Sequence, residues 1–221
     1  KHKKKMIVST GMSTFDEIET ALGVLAFGLL KKSNPCKRSF QKAYASDEGK
    51  SILKRYVTLL HCTSNYPAEF EEINLNAMLE LKNRFNLQIG YSDHSRGILV
   101  SSLAAAMGAK YIEKHFTLNQ QLPGPDHLAS LEPKELKVMV NTIRNVEVIK
   151  GNCSKVPQES EIQNQKVARR SIVANKKIRK GDLFNEHNLA VKRPASGISP
   201  MDFWDLLGQK SDRNYDFDEN I

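Results

Sequence analysis

The stretch Leu87-Gln88-Ile89-Gly90-Tyr91-Ser92-Asp93-His94-Ser95, "LQIGYSDHS", decides the fold. It starts apolar, with no polar alternate face, and ends in hydroxyls, a carboxylate and an imidazole. A run of that length, apolar on both sides, reads as a strand buried on both faces. Three more runs share the design: "MIVSTGM" (Met6–Met12), "VTLLHCTS" (Val57–Ser64) and "AKYIEKHFT" (Ala109–Thr117). Each closes in polar residues. Helical patterns lie between and after them. Thr14 reads as an N-cap before an acidic first turn, with Ile18, Leu22 and Leu25 on one face. Further helices are expected over Ile73–Phe85 and Leu99–Met107, and from Pro133 at a first helical position onward.

Strand followed by helix, four times over, means parallel β/α units. The polar strand ends then gather on one face, where β/α barrels build their active sites. A closed eight-stranded barrel takes about 250 residues. Here four units fill residues 1–150. The expected fold class is therefore α/β: a (β/α)8 TIM-type barrel of which this chain carries the last four units, the first half lying outside it. A small open sheet is the other reading. Residues 31–55 break the rhythm; polar, basic and punctuated by Pro35 and Gly49, they read as a surface insertion. Residues 151–165 read as a linker. Residues 166–221 read as a small β-rich domain, with short runs at Ser171–Ala174 and Leu189–Lys192 and a short helix near Met201–Leu207.

Composition narrows the function classes. The chain has 221 residues, 40% hydrophobic and 26% charged, ordinary for a globular protein with a real core. No apolar run reaches the ~18 residues of a membrane span, so no membrane partner is expected. The three cysteines form no CxxC pair; that argues against a disulfide framework or structural zinc and fits a reducing cytoplasm. The net charge of +8 is concentrated in residues 1–55, with twelve Lys/Arg against five Asp/Glu. The excess sits at a chain end and in one loop-like segment, so a solvated basic surface is expected rather than nucleic-acid binding.

The strand ends carry the chemistry. His94 and His115 end neighbouring strands and can face one cup; neutral imidazole suits divalent first-row metals. Asp93 and Glu113 stand beside them, where a carboxylate tunes ligands or handles protons. The structural alternative for Glu113-Lys114 is an ion pair. Ser9, Thr10 and Gly11 precede a helix, as hydroxyls and amides that hold a phosphate oxygen do, and as a plain N-cap also does. Thr63, Ser64, Asn65, Tyr66 and Ser92 complete a hydroxyl-rich rim suited to a phosphorylated ligand. In "GPDH", Gly124–His127, Asp126 is either a turn residue or a group facing the mouth.

Six blocks in this order, "STGM", "LLHCTSNYP", "GYSDHS", "GAKYIEKHFTL", "GPDHLASLEPKEL" and "VKRPASGISP", resemble the bacterial sialic acid synthase (N-acetylneuraminate synthase) family, whose members end in an antifreeze-like (SAF) domain. The resemblance covers nearly the whole chain apart from residues 31–55. It implies a condensation of phosphoenolpyruvate with N-acetylmannosamine or a related N-acetyl amino sugar, releasing phosphate to give a nonulosonic acid. It also implies Mn2+, or another divalent metal such as Mg2+ or Co2+, and a domain-swapped homodimer. By this resemblance His94 and His115 match metal ligands, and Ser9 and Ser92 match residues holding phosphoenolpyruvate. Ser64 stands where many members carry Asn. Tyr66, Glu113 and Asp126 match positions around the acceptor sugar, with Glu113 and Asp126 as candidate proton carriers. Arg193 matches an arginine sent into the partner's site. Legionaminic acid synthases, which take a diacetamido-trideoxy hexose, share the same blocks. The lysines and early glutamate that the family draws from its first strands are not locatable here, so a truncated, non-catalytic remnant with a sugar-binding SAF domain is the competing reading.

Overall fold

The computed structural model describes residues 4–221; Lys1–Lys3 of the basic start lie outside the described residues. The chain divides into two compact units between Asn152 and Cys153.

The first unit is built on four parallel strands, β1 (Met6–Ser9), β2 (Val57–Cys62), β3 (Gln88–Asp93) and β4 (Ile112–Lys114), in sheet order β1-β2-β3-β4. Leu60 pairs with Ser9 on one side and Gly90 on the other, and Ser92 with Glu113. Register thus aligns the polar ends of all four strands. Helices α1 (Phe15–Leu29), α2 (Lys37–Ala45) and α3 (Asp47–Tyr56) lead from β1 to β2. Helices α4 (Phe70–Ile73) and α5 (Asn76–Phe85) lead on to β3, α6 (Leu99–Ala106) to β4, and α7 (Pro133–Lys150) follows.

The core forms because alternate strand residues face these helices. Val57, Leu59, Ile89 and Tyr91 join Ile18, Leu22 and Ala26 of α1, Met78 and Leu81 of α5, and Val100 and Ala104 of α6 in one buried cluster. The opposite face is tight at Gly90: a methyl group there would sit 2.5 Å from the Tyr111 carbonyl oxygen and 2.4 Å from Leu60 Cδ2. Only glycine lets β3 lie that close to its neighbours.

Helix α1 starts as expected. Thr14 accepts from the Glu17 amide at 3.3 Å, and Glu17 accepts from the Thr14 amide at 2.7 Å, a reciprocal capping box. The Thr14 donors hold the Glu17 carboxyl below its ordinary range. Thr14→Ala is expected to cost about 1 kcal/mol of stability, read as a lower urea midpoint at neutral pH. The sign with pH follows from the depressed folded pKa. The Glu17 contribution is present above the ordinary glutamate pKa and is lost as pH falls through the folded value, so the gap to wild type narrows in acid.

Three expectations need correction. Residues 31–55 are not a surface insertion of irregular chain; they hold α2 and α3, which pack on α1. Ala43 and Leu53 are 5% and 2% exposed, and the Phe27 and Phe40 rings meet edge-on at 5.1 Å. The two helices touch at Gly49, where a Cβ would lie 1.7 Å from the Ala43 carbonyl oxygen. The many lysines and arginines sit on the outer faces of short amphipathic helices and hide their apolar sides. The helix expected over Ile73–Phe85 is two, α4 and α5, because Asn74 adopts φ 46°, a left-handed conformation that ends α4. The linker expected over 151–165 carries the start of α8 (Glu159–Ala168), a helix with no buried residue, opened by a Gln158–Glu161 capping box.

The second unit has its own core: Ile172 and Ala174 of β5 (Ser171–Ala174), Leu189 of β6 (Leu189–Lys192), and Ile178, Phe184, Leu206 and Tyr215. Strands β5 and β6 pair antiparallel, Ser171 opposite Lys192 and Ala174 opposite Leu189. The expected short helix is a 3-10 turn at Pro200–Asp202 running into α9 (Phe203–Leu206).

Candidate active site

Seven of the nine predicted site residues converge. Ser9, Ser64, Tyr66, Ser92, His94, Glu113 and His115 line one cavity of about 280 Å3 at the carboxyl ends of the strands, together with Gly11 and Cys62. Each strand delivers its residue there by alternation: Ser92 faces the cup, while Tyr91 and Asp93 face the helices.

Hydrogen bonds fix the cup's polar groups. The Ser92 hydroxyl donates to Glu113 Oε1 at 2.7 Å and lies 3.3 Å from His94 Nε2. His94 Nδ1 lies 2.7 Å from the Thr63 carbonyl oxygen. A carbonyl only accepts, so Nδ1 carries a proton, and in the neutral ring that leaves the lone pair on Nε2. The His94 and His115 rings stand 5.4 Å apart, and the Tyr66 ring lies 4.2 Å from His94 and 5.5 Å from His115. Two imidazoles, one with its lone pair set by a carbonyl, suit a divalent ion whose other positions are filled by oxygen from water or ligand. Among the described residues no group of three or more His, Cys, Asp or Glu side chains gathers to hold a metal by itself.

Asp126 stands outside the lining, with Oδ2 4.0 Å from His115 Nδ1. Its loop is anchored by the 2.8 Å contact of His127 Nδ1 with the Thr117 hydroxyl, and by Ser130 Oγ donating to the Asp126 carbonyl at 2.7 Å. Arg193 follows β6 in the second unit and is exposed.

Other rim residues do structural work. Thr10 gives its amide and hydroxyl to the Leu60 carbonyl, and Thr63 gives its hydroxyl to the Glu72 carbonyl. Glu113 and Lys114 form no ion pair, since strand neighbours point to opposite faces. Lys114 instead reaches Asp93 at 3.2 Å, both side chains almost fully buried. Burial pushes the Lys114 amine down, and the Asp93 carboxylate beside it pulls it back up. Sequence reasoning missed Cys62 as a cup residue. Its place on β2, two residues after the inward Leu60, was the available signal. Burial pushes its thiol up, against backbone amides of Thr10 and Gly11 that favour the thiolate. Gly11 is confined by that neighbour, for a Cβ there would meet Ser64 Oγ at 2.3 Å and Cys62 Sγ at 3.0 Å.

A parallel sheet with its polar cluster at the carboxyl ends of the strands, followed by a separate small β unit, places the chain among β/α-barrel proteins with an appended domain. Comparison with known families makes this specific: the chain belongs to the NeuB family, whose model matches residues 1–155, and residues 169–214 match the SAF domain. The chain is 46% identical to the N,N'-diacetyllegionaminic acid synthase of Campylobacter jejuni, over all of this chain and 60% of that protein. It is 39% identical to the synthase of the same name from Legionella pneumophila, over 96% of this chain and 54% of that protein. Among solved structures it resembles the N-acetylneuraminic acid synthetase of Leptospira borgpetersenii, with TM-score 0.54 and 35% identity, over 73% of this chain and 48% of that one. The chain thus spans between half and three fifths of the curated relatives just named. The four strands are a TIM-type half-barrel of this family, with a SAF domain after it.

Proposed function

We propose that this protein serves as a nonulosonic acid synthase, condensing phosphoenolpyruvate with an N-acetyl amino sugar such as N-acetylmannosamine and releasing phosphate. The convergence of Ser9, Ser64, Tyr66, Ser92, His94, Glu113 and His115 on one cavity carries the reading, and membership of the NeuB family supports it. The remnant reading predicts scatter among such residues instead.

In the proposed reaction the methylene carbon of phosphoenolpyruvate bonds to the sugar aldehyde carbon. Water adds at the former C2, and phosphate leaves by C–O cleavage. The Ser9, Ser64 and Ser92 hydroxyls hold the anionic oxygens of the donor, which is mainly positioning work. His94 and His115 would hold the divalent ion, Mn2+, Mg2+ or Co2+, which supplies Lewis acidity toward the acceptor carbonyl when bound. Tyr66, against both imidazoles, shapes the acceptor side. Glu113, tied to Ser92, holds or moves a proton at a sugar hydroxyl or water, and Asp126 contributes at the same side from its loop.

The proposal includes a domain-swapped homodimer in which Arg193 serves the partner's cup. It also includes a cytoplasmic location, to which three free cysteines belong. No helix among the described residues is long and apolar enough to cross a membrane. A diacetamido-trideoxy hexose is the second reading for the acceptor, favoured by the two relatives named N,N'-diacetyllegionaminic acid synthase.

The intact protein is tested with phosphoenolpyruvate, Mn2+ and a panel of N-acetyl amino sugars. The expected result is one phosphate released per nine-carbon acid, whose mass names the acceptor. Absence of a condensed product with every sugar would overturn the reading.

A further inference from the structure

The Asp93–Lys114 pair stands directly behind the two imidazoles, on the helix side of the sheet, and nothing in the proposed reaction uses it. Asp93 and Lys114 are register partners, the last pair of the β3–β4 ladder. Strand β4 has only three residues. His94 and His115 are the first residues beyond that ladder. Their own carbonyls turn away from each other: His94 accepts from the Ala68 amide at 3.0 Å, and His115 from the Leu131 amide at 2.8 Å. Backbone pairing therefore does not fix the distance between them.

Side chains supply the missing tie. Asp93 Oδ1 accepts from the Ser95 amide at 2.9 Å and from the Ser95 hydroxyl at 2.7 Å, which closes the chain into a turn around His94. Asp93 Oδ2 accepts from the Ser101 hydroxyl of α6 at 2.5 Å. Lys114 Nζ reaches Asp93 Oδ2 and also donates to the Ser95 carbonyl. Lys114 thus clasps the chain on both sides of His94, while its own backbone leads straight into His115. The side chains of Asp93 and Lys114 are 0% and 3% exposed, so water does not loosen the clasp.

We infer that Asp93 and Lys114 are positioning residues, which set the separation and aim of His94 and His115 and thereby the site's affinity for its divalent ion. The inference rests on the proposed function. A buried pair is in general weak evidence for net stability, because desolvating two charges offsets much of their attraction. Its retention behind the imidazoles is what a positioning role explains. Polar groups that orient metal ligands typically change metal affinity about 10- to 100-fold when removed.

The test is a Mn2+ titration of the full chain, following the EPR signal of the free aqua ion, with circular dichroism for folding. The central variant is Asp93→Leu/Lys114→Met, since an apolar pair of similar volume often replaces a buried ion pair without loss of stability. The expected result is a folded protein whose Mn2+ dissociation constant rises about tenfold or more. The Mn2+ concentration for half-activity rises with it, and kcat recovers at saturating Mn2+. Lys114→Arg, which keeps the charge and the donors, is expected to stay near wild type. Unchanged Mn2+ affinity in the folded double variant overturns the inference and leaves the proposed function standing. If the double variant does not fold, Lys114→Met is read in its place, since it leaves Asp93 its Ser95 and Ser101 donors. Failure of both to fold, with Lys114→Arg folded and binding normally, assigns the pair to stability and also overturns the inference. Wild-type protein that binds no Mn2+, or binds it equally well as His94→Ala, overturns the proposed metal site itself and the inference with it.

Discussion

His94→Ala and His115→Ala are each expected to lower the rate of the proposed condensation by about 10²-fold or more, the scale on which losing one well-placed electrostatic group slows an enzyme. The far-UV spectrum and the cooperative melt are expected to keep their wild-type form. Both imidazoles sit just past the ladder, in the cup rather than among the helix-side apolar cluster. Removing either opens space toward the cavity instead of in the core. The two losses differ in origin. His94 is 7% exposed, with its Nδ1 proton committed to the Thr63 carbonyl, so its lone pair has one direction. The His115 side chain is 35% exposed and has Asp126 Oδ2 at 4.0 Å. Adding imidazole to the His115→Ala cup, which is the more open, should restore more activity than adding it to His94→Ala. Elemental analysis of the purified variants is the direct check. Full metal occupancy with wild-type turnover in either variant would overturn the ligand assignment.

How this site could be read from sequence depends on which physical signal each residue carries. The four strands were legible as short apolar runs; β2 and β3 are buried on both faces as expected, whereas β1 leaves Ile7 52% exposed and β4 has no buried residue, so these two are not covered on both faces. Their ends were less so. Ala109–Thr117 was expected as one long run, yet only Ile112–Lys114 forms a strand, since the ladder needs a partner and β3 ends at Asp93. Helix α1 was legible from Thr14 and its acidic first turn. Helices α2 and α3 were not, because net charge dominates a short helix whose buried side is little more than Ala43, Gly49 and Leu53. Within the site, hydroxyls and imidazoles at strand ends announce themselves by polarity in an apolar run. Cys62 does not, because a thiol reads like any small apolar residue. The partner of Lys114 is invisible along the chain, since Asp93 lies on another strand and is supplied by register alone. Asp126 was placed on the correct side of the molecule by its loop, but its distance from His115 comes from anchors at Thr117 and Ser130 that no local pattern encodes.

Arg193→Ala is expected to raise the KM for the acceptor sugar about 10- to 100-fold, the worth of one charge-assisted hydrogen bond, while the KM for phosphoenolpyruvate barely moves. The side chain is exposed directly after β6, and among the described residues no hydrogen bond or ion pair holds its guanidinium. Its neighbour is occupied: Lys192 pairs with Asp218 and lies 4.8 Å from the Phe217 ring. A surface arginine serving local stability would be expected to share in such contacts. A guanidinium left free is a planar set of donors with nothing to bind in its own unit, and it suits carbonyl or hydroxyl oxygens of a ligand. If it acts on the partner's cup, as proposed, the two variants must rescue each other when assayed at an acceptor concentration well below the raised KM, where Arg193→Ala alone is nearly silent. In a mixed dimer of Arg193→Ala with His115→Ala, the cup of the first chain keeps both imidazoles and receives the intact arginine of the second. Random pairing makes about half of the dimers mixed, each with one of two cups complete, so co-expression should return about a quarter of wild-type activity. If arginine serves its own chain's cup instead, every cup in the mixture lacks one of the two groups. Mixed dimers that form, by differential tagging, and show no recovery would therefore overturn the exchange between chains while leaving the histidine assignment untouched.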